Sequence, residues 1–375
     1  MMSGGLPVNG LELRELRDLA RAFCGKELVP NQERWASQRC VDARLWRAAG
    51  DTGLLCIGIP GRYGGGGGTF EHEMVLIEEQ AMAGDTSWGV SAHGVVAHYV
   101  LAYGTEEQKR SWLPRMASGE LVGAIAITEP AAGSDIQAVT TRAEPDGDGY
   151  RVNGSKTFVT NGTQAGLILV MAQTTGLSLL AVETAGVTGL RRGKALEKIG
   201  RHGQDTCELF FDDMPIPADA VLGGKPGLGL RQLIPFMSME RLHIAVAAVA
   251  SMAASVDAAI QYAKQRKAFG RKLIRMQNTQ FKLAECATEV AVARAFVAEC
   301  VREQAAGELT MAKAAMAKLW ATERLSTVVD DCLQVFGGYG YMSEYPVARA
   351  WTDARVARIF GGTSEIMKGI IAASL

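Results

Sequence analysis

Apolar residues in the first third of the chain recur with the period of an α-helix. Over 11–23 they occur every three or four positions, at Leu13, Leu16, Leu19, Ala20 and Phe23. Residues 71–84 and 88–103 show the same spacing, which places apolar side chains on one helix face. Thr105 precedes two glutamates and fits the N-cap of a further helix. We therefore predict a helical first third.

The middle third changes to short runs rich in β-forming residues. These runs cover 122–127, 138–143, 149–152, 155–160, 167–172, 177–182 and 206–212. Closely spaced strands separated by turn pairs such as Asn153-Gly154 predict a small antiparallel barrel or sandwich rather than βαβ units. A Rossmann dinucleotide site needs GxGxxG between a strand and a helix, and the sequence does not contain that arrangement.

Long helical segments return from residue 228 onward. They cover 228–266, 277–306, 309–336, 344–358 and 362–373. Segments of this length and regularity are typical of a helical bundle with apolar stripes. The order of elements is therefore helical, then β, then helical, which makes the fold class α+β.

Charge and composition narrow the classes of partner. The chain has 39 basic and 40 acidic residues, a net charge of −1, so neither nucleic acid nor an anionic membrane surface is an expected partner. No uninterrupted apolar run reaches the roughly 18 residues that span a bilayer, so no membrane insertion is expected. Met1 to Gly10 does not resemble a secretory signal, and we expect a cytoplasmic protein.

The seven cysteines fit a reducing compartment. Their number is odd, no CxxC occurs, and no cysteine–histidine group has the spacing of zinc ligands. Five consecutive glycines, 64–68, follow Tyr63 but lack the GK[ST] ending of a phosphate-binding loop. We interpret that run as a flexible surface turn.

Two segments around the β region carry candidate binding chemistry. A loop containing Thr128, Gly133 and Ser134 offers backbone N–H groups and hydroxyls to a ligand. Phe158 and Thr160 lie two residues apart in a predicted strand, so they face the same side. Together they could cover a flat heterocycle, although ordinary sheet residues fit the same pattern.

Four blocks of the sequence match the signatures of one enzyme family. They are TEPAAGSD (128–135) with NGSKTFVTNG (153–162), RKAFG (266–270), QVFGGYGYMSEYP (334–346) and GTSEI (362–366). In order and spacing they resemble the acyl-CoA dehydrogenase family over nearly the whole chain. The resemblance implies an N-terminal helical domain (1–122), a middle antiparallel β-barrel (123–227) and a C-terminal four-helix bundle (228–375), assembled as a homotetramer.

The resemblance also implies FAD as the cofactor. The residues it places around the flavin ring are Ile127, Thr128, Ser134, Phe158 and Thr160. Those it places at the adenine and pyrophosphate of FAD bound mainly to a neighbouring subunit are Arg266, Phe269, Gln277, Gln334 and Gly338. Thr363 and Glu365 are expected near the ADP part. Many family members have tryptophan where this chain has Phe158, and an aromatic ring is retained.

The catalytic base is the point at which the sequence departs from most of the family. Many members supply a glutamate immediately before the Gly-Thr of the last block, and here that position is Gly361. The long-chain and isovaleryl-CoA dehydrogenases, which the chain resembles most, place it earlier, before an arginine, which matches Glu240 and Arg241. We predict that Glu240 is the base, because a carboxylate buried beside an acyl chain has a raised pKa. An ion pair at a helix surface is the alternative for Glu240.

The resemblance implies further contacts for the substrate. The residues expected at acyl-CoA are Ser134, Ser238, Arg241 and Gly361, with Arg241 near the mouth of the site. His93 and His98 are expected to be packing residues, whereas His243 lies one turn beyond Glu240 and can share its face. Small residues between Trp88 and Tyr103 leave room for a long or branched acyl chain.

The function implied is FAD-dependent α,β-dehydrogenation of an acyl-CoA to the trans-2-enoyl-CoA, as in fatty acid β-oxidation. The electrons are expected to pass to an electron-transfer flavoprotein. Two other functions remain open at this point. One is a flavin oxidase or monooxygenase of the same fold, and the other is a non-catalytic subunit that binds FAD or CoA in a mixed tetramer.

Overall fold

The computed structural model describes residues 11–375, so the interpretation of Met1 to Gly10 concerns residues outside that range. The N-terminal part is helical, as predicted. Its helices are α1 (Leu11–Phe23), α2 (Gln32–Gln38), α3 (Ala43–Asp51), α4 (Phe70–Met82), α5 (Val90–Tyr103) and α6 (Glu106–Ala117). Thr105 caps α6, since its hydroxyl accepts a hydrogen bond from the N–H of Gln108 (3.2 Å) and its own N–H donates to the Gln108 side chain (3.0 Å). The predicted N-cap is confirmed.

The five-glycine run between α3 and α4 differs from the expectation of a flexible turn. Its backbone N–H groups are tied to carbonyls of the preceding loop, including that of Gly67 to Ile59 (2.9 Å) and that of Gly68 to Ile57 (2.9 Å). A Cβ added at Gly65 would lie 2.2 Å from the Ile59 carbonyl oxygen. Close backbone packing therefore requires a glycine at position 65, which composition alone does not reveal.

The middle part is one curled, seven-stranded sheet. Its strands are β1 (Gly123–Ala126), β2 (Arg142–Asp146), β3 (Gly149–Thr160), β4 (Leu167–Gln173), β5 (Leu177–Glu183), β6 (Leu190–Arg192) and β7 (Thr206–Pro217). The strand order is β1-β4-β2-β3-β7-β6, and β5 pairs with β4. The runs predicted separately at 149–152 and 155–160 form one strand, because Asn153-Gly154 produces a bulge against β7 rather than a turn.

The sheet is not purely antiparallel. Most neighbours are antiparallel, but β1 runs parallel to β4, with Gly123 opposite Leu167, and β2 meets β4 in parallel at Arg142 and Gln173. The pairing arises because β4 returns to the sheet beside β1 only after the β2–β3 hairpin. A second irregularity of β3 lies between Lys156 and Val159, where Phe158 has a left-handed backbone (φ 58°).

The C-terminal part consists of long helices, as predicted. They are α7 (Gly229–Gln265), α8 (Gln277–Ala306), α9 (Met311–Phe336), α10 (Pro346–Ala354) and α11 (Ser364–Ala372), with the short hairpin β8 (Lys267–Ala268) and β9 (Arg271–Lys272) between α7 and α8. By length and composition, α7 is the one helix within 11–375 that qualifies as a membrane span. Because 61% of its apolar window is buried inside the protein, it is a core helix.

One apolar core joins the two helical parts. Buried residues of α1, α3 and α4 belong to the same cluster as those of α7, α8 and α9, whereas the sheet encloses a cluster of its own. The order of helical, sheet and helical parts confirms the predicted fold class. The cleft where α5, α7 and the sheet meet is therefore walled by all three parts, and it contains the candidate site.

Candidate active site

A cavity of about 220 Å³ lies between α5, α7 and the loop before α11. The lining residues on α7 are Glu240, His243, Ile244, Ala247, Ala248 and Ser251. Their spacing of three and four residues identifies one face of the helix. Thr160 of β3 and Gly361 also line the cavity. The structure thus brings three predicted site positions together in one cavity. They are Glu240, Gly361 (where many family members have the catalytic glutamate) and Thr160, a predicted flavin contact.

Glu240 lies inside this cavity rather than on the protein surface. The Tyr99 hydroxyl donates a hydrogen bond to Oε1 of Glu240 at 3.2 Å. Burial raises the pKa of the Glu240 carboxyl to about 7, while the Tyr99 hydrogen bond and the charge of Arg241 act in the opposite direction. Tyr99 was not foreseen from the sequence, since it belongs to a different helix, 141 residues away.

Arg241, expected near the mouth of the site, is 1% exposed. Its Nε and Nη1 have no hydrogen-bond partner among the described residues, and Nη2 lies 4.0 Å from the sulfur of Met237. Burial lowers the pKa of the Arg241 guanidinium, although the charge of Glu240 favours its protonated form. Ser238, the other predicted substrate residue on α7, is also buried.

Gly361 occupies a position at which a side chain would strain the backbone. Its backbone is left-handed (φ 63°), and a Cβ built there would lie 2.4 Å from Cδ1 of Ile244. Ile244 is one turn beyond Glu240 on α7. Because the Ile244 methyl group can move aside, the left-handed backbone is the main physical reason for a glycine at this position.

The histidines separate into packing and cavity groups. His93 is fully buried and accepts a hydrogen bond from the N–H of Gly123 (3.1 Å), so the packing role is confirmed. His243 lines the cavity, with its Nδ1 2.8 Å from the Ser91 hydroxyl and its ring stacked on Phe70. Burial lowers the pKa of His243 to about 4, so its ring is neutral at physiological pH.

A buried ion pair holds the loop that follows β1. Lys156 donates to Glu129 (2.8 Å) and to the carbonyl of Ile127 (2.9 Å), and both charged side chains are almost fully buried. Glu129 also accepts hydrogen bonds from Thr140 and Thr141. Although burial raises the pKa of the Glu129 carboxyl, the hydrogen bond from Lys156 and those from the two threonines lower it to about 2. Both residues lie inside the conspicuous blocks of the sequence, but their pairing was not foreseen.

The predicted flavin contacts surround this fixed loop. The carbonyl of Thr128 accepts from the N–H of Thr157 (2.9 Å), which ties the loop to β3. Phe158 lies at the bulge within β3 with 67% of its surface exposed, and Ser134 is exposed on the loop. Asp135 accepts a hydrogen bond from the N–H of Gln137 (3.2 Å), which caps the short turn that follows it. An exposed aromatic ring beside hydroxyls and loop amides fits a flat, polar-edged flavin.

The residues expected at the adenine and pyrophosphate lie at the far end of the C-terminal helices. Arg266, Gln334 and Gly338 line one surface cavity of about 540 Å³, in which the Arg266 guanidinium lies 5.7 Å from the Tyr339 ring. Phe269, on the hairpin beside it, is 95% exposed. Gln277 begins α8 and is exposed. A cation and exposed aromatic rings suit a nucleotide diphosphate.

Thr363 and Glu365 form the start of α11. The Thr363 hydroxyl accepts a hydrogen bond from the N–H of Ile366 (3.3 Å), and Glu365 is exposed in the first turn. The carbonyl of Gly362 accepts from the buried Lys318 (2.7 Å), which fixes the loop that joins this helix to Gly361. The residues predicted to bind FAD therefore form two groups. One group lies at the sheet and suits the flavin ring, and the other lies at the outer surface of the C-terminal helices and suits the nucleotide.

Three models of one family together match most of the chain. The acyl-CoA dehydrogenase N-terminal domain matches residues 11–120, the middle domain 124–214 and the C-terminal domain 227–375. Long-chain specific acyl-CoA dehydrogenase from Sus scrofa mitochondria is 44% identical over 365 residues, which cover 95% of this chain and 84% of that relative. The expected likeness to the long-chain enzymes is confirmed.

Solved structures give the same result. An acyl-CoA dehydrogenase from Geobacillus kaustophilus has a TM-score of 0.96 and 41% identity, covering 98% of this chain and 99% of that one. A chain from a structure described as an electron transferring flavoprotein of Acidaminococcus fermentans has a TM-score of 0.93 and 34% identity, covering 98% of each. With the cofactor-binding features described above, these matches show that the chain belongs to the acyl-CoA dehydrogenase family and is an FAD-dependent oxidoreductase.

Proposed function

We propose that this enzyme converts an acyl-CoA thioester to the trans-2-enoyl-CoA, with Glu240 as the base that removes the α-proton. The observation that carries the proposal is the Glu240 carboxylate, held by Tyr99 inside a largely apolar cavity that also contains Thr160 and Gly361. A base must be within reach of the proton it removes, and this cavity is where an acyl chain can lie beside the flavin site.

Bound FAD supplies the acceptor for the β-hydride. The chain's own residues position the substrate and move the proton. One oxygen of Glu240 is occupied by the Tyr99 hydroxyl, which leaves the other free to receive the α-proton. A pKa of about 7 makes the ionised carboxylate a stronger base than an exposed glutamate while a large ionised fraction remains at neutral pH. The backbone N–H of Gly361 is the candidate donor to the thioester oxygen.

The residues proposed to hold FAD divide by the part of the cofactor that they contact. Those at the ring are Ile127, Thr128, Ser134, Phe158 and Thr160. Those at the nucleotide end are Arg266, Phe269, Gln277, Gln334 and Gly338, provided by a neighbouring subunit, with Thr363 and Glu365. The exposure of Phe269 and Arg266 supports that division, because side chains open to solvent can reach a cofactor bound to a neighbouring subunit.

Replacement of the base tests the proposal. The variant Glu240→Gln keeps the shape and the hydrogen bond from Tyr99 but removes the ionisable group. We expect turnover of acyl-CoA to fall by about 10²–10⁴-fold, with FAD retained in normal amount as judged by its absorbance. Glu285→Gln, at an exposed position on α8, is the matched control and keeps full turnover. Turnover of Glu240→Gln near that of the unaltered enzyme would refute the assignment.

We propose an electron-transfer flavoprotein as the electron acceptor and a homotetramer as the assembly. The first is supported by the family resemblance and by the structural likeness to a chain described with an electron transferring flavoprotein. The test compares reduction of that acceptor with oxygen uptake, since rapid oxygen uptake identifies a flavin oxidase. Mass measurement of the purified assembly tests the homotetramer, and a second polypeptide in it would identify a mixed tetramer.

A further inference from the structure

Cavity space continues beyond the proposed active site along the same face of α7. The active-site cavity is lined on α7 from Glu240 to Ser251. A second cavity, of about 320 Å³, is lined by Ser251, Ala254, Ser255 and Ala258, which continue the same stripe. At the rise of an α-helix, Glu240 to Ala258 corresponds to about 27 Å and Glu240 to Ser251 to about 16 Å.

The two cavities adjoin at a shared set of residues. Those that line both are Ala81, Thr86, Arg201, Ser251 and Leu325. We call this set the junction. Arg201 is its one charged residue, and it comes from the loop before β7 rather than from a helix. An acyl chain long enough to leave the first cavity along α7 must therefore pass a guanidinium.

The backbone of Arg201 is held in an uncommon conformation. Its φ is 49°, in the left-handed region, and its N–H donates a hydrogen bond to the Asp353 carboxylate. The other oxygen of Asp353 accepts from the Thr86 hydroxyl (2.6 Å). A Cβ added at Gly200 would lie 2.6 Å from the backbone of Thr352, so the loop packs tightly against α10. Such strain persists only where the surroundings enforce it, and here they direct the side chain into the cavity.

The guanidinium of Arg201 has few partners of its own. It lies 5.0 Å from the Phe360 ring centroid, and its Nε is buried without a hydrogen-bond partner among residues 11–375. Asp353 is occupied as described, and the nearby Asp85 accepts from Gln80 and from backbone N–H groups. Burial lowers the pKa of Arg201, while both aspartates favour its charged form through space.

A hydrocarbon chain passing the junction would displace water from these donors without replacing its hydrogen bonds. The loss is unfavourable, because a buried donor left without an acceptor keeps its full desolvation cost. An oxygen on the chain at this depth would restore the hydrogen bonds and gain from the positive charge.

We propose that the substrate is an acyl-CoA whose chain carries an oxygen acceptor that binds Arg201 at the junction. The inference rests on the proposed function, since it assumes that the acyl chain enters beside Glu240. Hydroxyl, keto and carboxylate groups share the required chemistry. Asp85 and Asp353 already offset the positive charge of Arg201. The acyl chain therefore does not need a negative charge of its own, and the experiment compares the three groups directly.

The test uses octanoyl-CoA and dodecanoyl-CoA, each plain or with a terminal hydroxyl group, a keto group at the penultimate carbon or a terminal carboxyl group. In the unaltered enzyme we expect kcat/KM to be about tenfold or more higher for the best oxygenated chain than for its plain counterpart. Arg201→Met should abolish that ratio, and Arg201→Lys should retain part of it. Arg191→Met is the matched control, because Arg191 also lies over a phenylalanine ring, that of Phe210, but outside the cavity; it keeps the ratio.

Equal kcat/KM for plain and oxygenated chains in the unaltered enzyme would overturn the proposal. So would an unchanged ratio in Arg201→Met. If no acyl-CoA is oxidised, the proposed function fails, and calorimetric binding of the same thioesters to the FAD-loaded protein then tests Arg201 separately. A preference for carboxylate over hydroxyl identifies an anionic chain end as the ligand, and the reverse identifies a neutral one.

Discussion

Two side chains from different helices set the properties of the proposed base. Glu240 is partly buried where α7 packs against α5, and Tyr99 of α5 donates to its carboxylate. Because burial raises the pKa to about 7, the ionised fraction of Glu240 changes within the physiological pH range. Activity that depends on the ionised carboxylate must then increase with pH.

The pH profile gives the first prediction. We expect kcat/KM to rise about tenfold per pH unit below 7 and to level off above it, because only the ionised Glu240 accepts the proton. Tyr99→Phe removes a hydrogen bond that lowers this pKa, so the midpoint should move to higher pH. Tyr103→Phe, a nearby aromatic without that hydrogen bond, is the control. A profile that is flat between pH 5 and 8 would contradict the assignment.

Gly361 gives the second prediction at this scale. Gly361→Ala places a Cβ against Ile244 and forces a left-handed backbone on alanine, so we expect a loss of about 1–3 kcal/mol in the free energy of unfolding. Gly369→Ala is the matched control, because nothing lies within 4 Å of its Cβ in α11 and alanine favours a helix. Urea denaturation of the two variants measures the difference, and equal stability would refute the steric argument.

At the scale of secondary-structure elements, the buried ion pair between Lys156 and Glu129 joins strand β3 to the loop after β1. Lys156 on β3 reaches across to the loop after β1, so one charged contact fixes the loop that bears Thr128 and Ser134 relative to the sheet. A buried charge that loses its partner is strongly unfavourable, whereas a surface pair contributes little.

We therefore predict that Lys156→Met destabilises the protein by about 3–5 kcal/mol and weakens FAD retention. Arg151 is on the same strand as Lys156 and forms a half-exposed pair with Asp146 of β2. Arg151→Met breaks that pair and should cost at most about 1 kcal/mol. The measurements are thermal unfolding of the FAD-loaded proteins and the FAD content after gel filtration. Similar losses for both variants would show that burial of the pair is not what stabilises the loop.

The whole molecule exposes large apolar side chains at the nucleotide end of the proposed cofactor site. Phe269 is 95% exposed and Tyr341 86% exposed, close in sequence to Arg266 and Gly338 respectively. Exposed aromatic residues beside a cationic pocket are typical of surfaces that are covered by a partner or ligand.

We predict that Phe269→Asp lowers both the mass of the assembly and its FAD content, because it places a charge in the proposed contact between subunits. Leu11→Ser, at a residue that is 72% exposed at the start of α1, is the control and should leave both unchanged. Light scattering and absorbance measure the two quantities. An FAD-replete tetramer of Phe269→Asp would refute the assignment of this surface.

The sequence by itself determines the order of helical, sheet and helical parts and the ends of α7, α8 and α9. It does so because the spacing of apolar residues and the capping of helices are local properties. The conspicuous blocks identify the family because those motifs are contiguous, and Glu240 follows from the glycine at position 361 together with the adjacent Arg241. The pairing of β1 with β4, the close packing of the five glycines, and the contacts of Glu240 with Tyr99 and of Lys156 with Glu129 required the tertiary structure. So did the entry of Arg201 into the cavity. Each joins residues far apart in the chain, and which distant groups meet is decided by how the elements pack rather than by any local pattern.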